Sequence, residues 1–221
     1  LYREWFVHFR FPGHESARFT DSSLGRIPKG WEVVDLNQLG QIGRGRSRHR
    51  PRNDEALYGG PYPFFQTGDI KAAQTFLWIN TQTYSEQGLA QSKLWEPGTL
   101  CITIAANIAE TAILGKQACF PDSVVGFVPT NHSADAYYVM LCLNQIKRDM
   151  QNISRGTTQD NLSMEKLLSF KVLSPSAEIW DSFRQFAEPV YCRILNLVKS
   201  CQNLRQTRDL LLPKLLSGEN S

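Results

Sequence analysis

Apolar residues recur at steps of three and four through the last quarter of the chain: Ile179, Phe183, Phe186, Val190, Ile194, Leu197, Cys201 and Leu204, resuming at Leu211 and Leu215. Steps of this size place side chains on one face of an α-helix. The spacing is heptad-like, with one stutter where Val190 is followed by a second step of four to Ile194. Ser176 can cap the start of such a helix, and Glu178 lies in its first turn. A helix of about 37 residues spans roughly 55 Å. Pro189 lies inside it and predicts a kink or an unmade hydrogen bond. A seam this long cannot be covered by one small domain, so the pattern asks for a partner helix. The predicted interface is Phe183, Phe186, Val190, Ile194, Leu197, Cys201, Leu204 and Leu211.

The preceding segments read differently. Trp31–Val34 (WEVV), Tyr62–Phe65 (YPFF), Thr75–Ile79, Thr99–Ile104, Thr111–Leu114 and Ser123–Val128 are short, apolar or β-branched, and punctuated by Gly or Pro. Gly68-Asp69 reads as the end of one such strand. Residues 134–149 instead carry Tyr138, Leu141, Cys142 and Ile146 at helical spacing, and Ser163 can cap a short helix over 163–169. The expected fold class is α+β: a globular domain over residues 24–175 with a mostly antiparallel sheet, then a long helix over 176–216 that pairs as a coiled-coil-like spacer. Residues 1–23 read as the tail of a preceding segment plus a polar linker, and 217–221 as a tail.

The chain has 221 residues, 42% hydrophobic and 20% charged, enough to bury a core without staples. The five cysteines form no CxxC pair, which suits reduced thiols in the cytoplasm and argues against a zinc site. No apolar run reaches the length of a membrane span. A formal charge of +3 is mild, but it is concentrated. Arg44, Arg46, Arg48, Arg50 and Arg52 stand at alternate positions, with His49 among them. Without those five, 19 basic residues face 21 acidic ones, a remainder of −2. Guanidinium groups bind phosphates two-pronged and read guanine edges, so this run predicts contact with a polyanion, above all duplex DNA. A solvated basic loop is the alternative.

Asp54, Asp69 and Lys71 permit a metal-dependent nuclease reading, although that spacing is common by chance. The four histidines lack metal or triad spacing, and no phosphate loop, dinucleotide fingerprint or amino-methyltransferase motif is present. Gln66, Lys71 and the turn containing Thr158, Gln159 and Asn161 are further candidates for phosphate or adenine contact. A third reading is a helix-mediated assembly module without DNA contact.

Four segments together resemble the specificity subunits of type I restriction–modification enzymes: residues 27–31 (IPKGW), 62–70 (YPFFQTGDI), 156–163 (GTTQDNLS) and 204–218 (LRQTRDLLLPKLLSG). The last is the most distinctive, and the order and spacing of all four strengthen the likeness. The resemblance implies that residues 24–175 form one target-recognition domain for one half of a split DNA site. The helix then sets the distance to the other half. It implies modification (methyltransferase) and restriction (endonuclease) subunits as partners, and self-association through the helix. S-adenosylmethionine, Mg²⁺ and ATP would belong to those partners, with no cofactor on this chain and no catalytic residue in it. Residues 1–11 match the tail that follows a central spacer helix in the family. Only one recognition domain and one spacer helix are present, and whether that half is a natural unit is open at this point.

Overall fold

The computed structural model describes residues 1–155 and 162–217. The strands are β1 (Phe19–Ser22), β2 (Gly25–Pro28), β3 (Glu32–Asp35), β4 (Gly40–Arg44), β5 (Tyr58–Phe64), β6 (Phe76–Leu77), β7 (Gln82–Tyr84), β8 (Leu100–Thr103), β9 (Thr111–Leu114), β10 (Val124–Pro129) and β11 (Lys171–Ser174). The helices are α1 (Leu36–Leu39), α2 (Thr67–Ala72), α3 (Glu86–Ala90), α4 (Asp135–Gln145), α5 (Lys147–Arg155), α6 (Met164–Ser169) and α7 (Ala177–Ser217). The α+β expectation is met, with strand pairing antiparallel except between β6 and β9.

A five-stranded sheet in the order β4-β10-β8-β9-β6 divides the interior. Its central strands are apolar at nearly every position because both faces are covered. Leu100, Ile102, Ile113, Val125 and Phe127 point into one core, where α4 and α7 pack. Cys101, Ala112, Leu114 and Val124 point into the other, against Phe65, Trp95 and Phe120. The period-two alternation of a strand thus feeds two cores from one run. On the second face Gly43 of β4 lies opposite Gly126 of β10. A methyl group on either would come within 2.9 or 2.7 Å of the Trp95 indole, so the two glycines form the flat slot in which that ring lies.

The stretch read as a linker is instead structured. Phe19–Ser22 pairs with Gly25–Pro28 in a hairpin. Gly25 takes φ +92°, and Ser22 Oγ donates to its carbonyl. Residues 1–11, read as the tail of a preceding segment, pack into the core. Trp5, Phe6 and Phe11 are buried, and the Phe6 ring sits 4.9 Å from Tyr138, 5.2 Å from Phe183 and 5.7 Å from Trp31. Aromatic burial of this size overrides the turn-forming composition between them.

The first three turns of α7 belong to the same core. Ile179, Trp180, Phe183 and Ala187 are buried there. Arg184 clamps Asp135, at the start of α4, with two hydrogen bonds of 2.8 and 2.9 Å. Tyr191 lies flat on Tyr137 of α4 at 3.5 Å. Phe183, predicted as part of an intermolecular seam, therefore serves its own domain, because the helix must dock before it can project. The helix keeps contact with the domain as far as Lys199, whose ammonium lies 4.9 Å from the Trp78 ring, while Leu197, Leu204, Leu211 and Leu215 are exposed. Pro189 and Pro213 both lie within the continuous helix. Pro189 can donate no hydrogen bond there, which is the cost its position predicts.

A candidate nucleic-acid interface

The arginine run continues beyond the end of β4 as an irregular segment pinned along its backbone. Gly45 N–H donates to the Val124 carbonyl and Arg46 N–H to the Phe120 carbonyl. Ser92 Oγ donates to the Arg46 carbonyl at 2.9 Å. Gln91 Oε1 accepts from Arg48 N–H at 2.5 Å and His49 N–H at 3.0 Å. With the backbone fixed, period two decides which side chains face out. Gly45 and Ser47 are buried, whereas Arg44, Arg46, Arg48, Arg50 and Arg52 are exposed. Gly45 and Ser47, which alternate with the first arginines, pack inward. Gly45 is dictated by contact, since a Cβ there would lie 2.2 Å from the Pro121 carbonyl oxygen.

The five guanidinium groups are not equivalent. Arg46 and Arg48 have no side-chain partner among the described residues, so their charges are fully available. Arg44 Nε donates to the Asp122 carbonyl at 2.5 Å and keeps its net charge uncompensated. Arg50 folds back on the Ser47 and His49 carbonyls, both at 2.7 Å. Arg52 meets both carboxylate oxygens of Asp122 at 3.0 Å, which neutralises it. His49 pairs with Asp54 at 2.9 Å, and its ring faces that acid rather than solvent.

Behind the run, the Tyr84 phenol is buried beside Ser47 and Gln91. Burial raises its pKa, and the two polar neighbours pull it partly back. Tyr84 Oη and Gln91 Nε2 are nonetheless buried without a hydrogen bond of full geometry among the described residues.

Gln66 is the N-cap of α2 and forms a capping box with Asp69, so the reading of Gly68-Asp69 as a strand end is corrected: the segment is the first turn of a helix. Gln66 and Arg52 line one open cleft. Lys71 is exposed near the end of α2. Thr158, Gln159 and Asn161 lie outside the described residues. The nuclease constellation is not assembled. Asp54 caps a short helical turn and holds His49. Asp69 Oδ2 accepts from Gln66 N–H at 2.7 Å, and its other oxygen accepts from Thr81 Oγ1. Among the described residues no group of three metal-ligating side chains is gathered.

The model of the type I restriction modification DNA specificity domain family matches residues 28–189, about three quarters of the chain. The chain belongs to this family. Among curated proteins of the family's kind, the type I restriction enzyme HindI specificity subunit of Haemophilus influenzae is 27% identical over 197 residues, covering 87% of this chain and 42% of that protein. The type I restriction enzyme MjaIX specificity subunit of Methanocaldococcus jannaschii is 24% identical over 229 residues, covering 99% and 51%. The crystal structure of the HsdS subunit from Thermoanaerobacter tengcongensis shares the fold, with a TM-score of 0.56 and 17% identity over 89% of this chain and 47% of that one. This chain thus spans about half the length of the relatives it matches.

Membership in a DNA specificity family gives the basic face its context. Sequence reasoning missed the residues that shape that face: Gln91, Ser92 and Asp122. None carried a signal of its own, because each acts on the run from 43 to 78 residues away. Gln82, whose amide oxygen accepts from Gln66 Nε2, was missed as well.

Proposed function

We propose that this chain reads one part of a duplex DNA sequence as a specificity component of a type I restriction–modification enzyme, with adenine methylation and restriction performed by partner subunits. The observation that carries the reading is the pinned run with its outward arginines, two of them unpaired, inside a chain of the DNA specificity family. S-adenosylmethionine, Mg²⁺ and ATP are assigned to the modification and restriction subunits, and the assembly to the cytoplasm. No described helix is long and apolar enough to cross a membrane.

Self-association through α7 forms part of the proposal. Phe186, Val190, Leu197, Leu204 and Leu211 are each more than half exposed on one helical seam. A two-fold antiparallel pairing would cover this seam and supply the second half of a split recognition unit.

The test is duplex binding by the purified chain across a salt series. Binding that weakens steeply with salt, and that retains preference for one sequence, is the expected result. No binding at low salt would favour a pure assembly role. Mg²⁺-dependent cleavage by the chain alone, abolished by Asp69→Asn, would favour the nuclease reading.

A further inference from the structure

The arginine run ends at Arg52 on the wall of an open cleft of about 570 Å³, completed by Asn53, Glu55, Tyr58, Gln66 and Gln82. We propose that this cleft is a base-reading site, in which the Gln82 amide recognises the major-groove edge of an adenine. The inference rests on the DNA-reading function proposed above and specifies where sequence is read rather than phosphate held.

Charge excludes phosphate first. Arg52 is balanced by Asp122, and Glu55 is exposed with no side-chain partner among the described residues. The cleft is therefore neutral to negative, while the free cations Arg46 and Arg48 lie further back along the run. An unpaired carboxylate repels phosphate oxygens but accepts from an exocyclic base amine.

Hydrogen-bond capacity then selects the base. Gln66 is held at the start of α2 by its backbone bond to Asp69, and its Nε2 donates to Gln82 Oε1 at 2.5 Å. That bond fixes the Gln82 amide and uses one lone pair of its oxygen. The second lone pair and both Nε2 hydrogens remain, since Gln82 Nε2 has no partner among the described residues. A carbonyl beside an N–H₂ group matches the N6 donor and N7 acceptor of adenine. Guanine presents two acceptors on the same edge, and Glu55 would repel them. Elsewhere in the lining, Tyr58 Oη donates to the Arg52 carbonyl at 2.7 Å and holds the Arg52–Asn53 backbone in place.

The experiment is selection from a pool of randomised duplexes at fixed salt, using the full chain, Gln82→Leu and Glu55→Ala. Both residues are exposed, and Gln82 pairs in its strand through the backbone. The wild-type protein should select a site with an adenine fixed at one or more positions. Gln82→Leu should lose discrimination at one such adenine by roughly ten- to a hundredfold while keeping the other positions. Glu55→Ala should weaken selection at the same or the adjacent base pair. An unchanged site with Gln82→Leu, or an even loss of affinity for every duplex, would overturn the cleft and leave DNA reading intact. So would a Glu55→Ala protein that binds all duplexes more tightly with unaltered selection, since that is the behaviour of a phosphate site. Failure of the wild-type chain to select any sequence would instead sink the proposed function, and the cleft with it.

Discussion

Gln91 grips Arg48 by its backbone: the glutamine side-chain oxygen accepts the arginine N–H at 2.5 Å across 43 residues of sequence. The same oxygen takes the next N–H, that of His49, so one amide fixes two successive peptides. The direction of the arginine side chains follows from this clamp.

Gln91→Leu should therefore act on both fold and binding. Two N–H groups lose their acceptor, at a cost of about 1–3 kcal/mol for each group that stays dry. Urea denaturation should show the loss of stability, and the salt dependence of DNA binding should weaken in the same protein. Normal binding with lowered stability would detach the clamp from recognition.

The arginines should separate by partner. Arg46→Ala with Arg48→Ala should flatten the slope of log affinity against log salt by about two units, leaving the denaturation midpoint in place. Arg52→Ala removes a guanidinium already matched by Asp122, so its slope should change little. A slope that responds equally to all three would mean that DNA displaces Asp122.

The helix seam divides at the edge of the domain. Leu197→Glu with Leu204→Glu should leave the domain folded and abolish association, read by sedimentation at about tens of micromolar, where micromolar affinity registers. Phe183→Ala, on the same seam but 2% exposed, should instead cost about 3–5 kcal/mol of stability. A wild-type chain that sediments as a monomer at that concentration would count against self-association.

Alkali should loosen the packing around α4. Burial raises the Cys142 thiol to about 11 and the stacked Tyr137 and Tyr191 phenols to about 12. The native state thus holds these protons longer than the unfolded chain does. Their stabilising effect is whole below about pH 9, where the unfolded thiol begins to ionise, and is lost as pH rises through 11 to 12. Urea midpoints should accordingly fall as pH rises from about 9 to about 12. At pH 8 a thiol reagent should modify Cys192 and Cys201, which are exposed, and spare Cys101, Cys119 and Cys142. Cys201 should react more slowly as association covers the seam.

Features set by local chemistry were legible in the chain alone. The three-four spacing from Ile179 to Leu215 specified α7, and the short apolar runs specified β8, β9 and β10. Alternating arginines implied an extended run with one face outward, since period two is a property of the strand alone. Family resemblance was carried by motifs that are likewise local, such as residues 62–70 and 204–218.

Tertiary structure decided which of those features are free to act. Phe183 and Leu197 occupy equivalent places in one periodic pattern, yet one is buried against Phe6 and Tyr138 and the other is exposed. Arg48 and Arg52 look alike in sequence, but only Arg52 pairs with the Asp122 carboxylate, which the turn before β10 delivers from far along the chain. The polar residues around β1 read as linker until Trp5, Phe6 and Phe11 on one side and Ile27 and Trp31 on the other are seen to anchor them in the core. In each case the deciding partner comes from another part of the chain. Periodicity records which way a side chain points within its own element, while burial and charge pairing depend on what the fold brings opposite it.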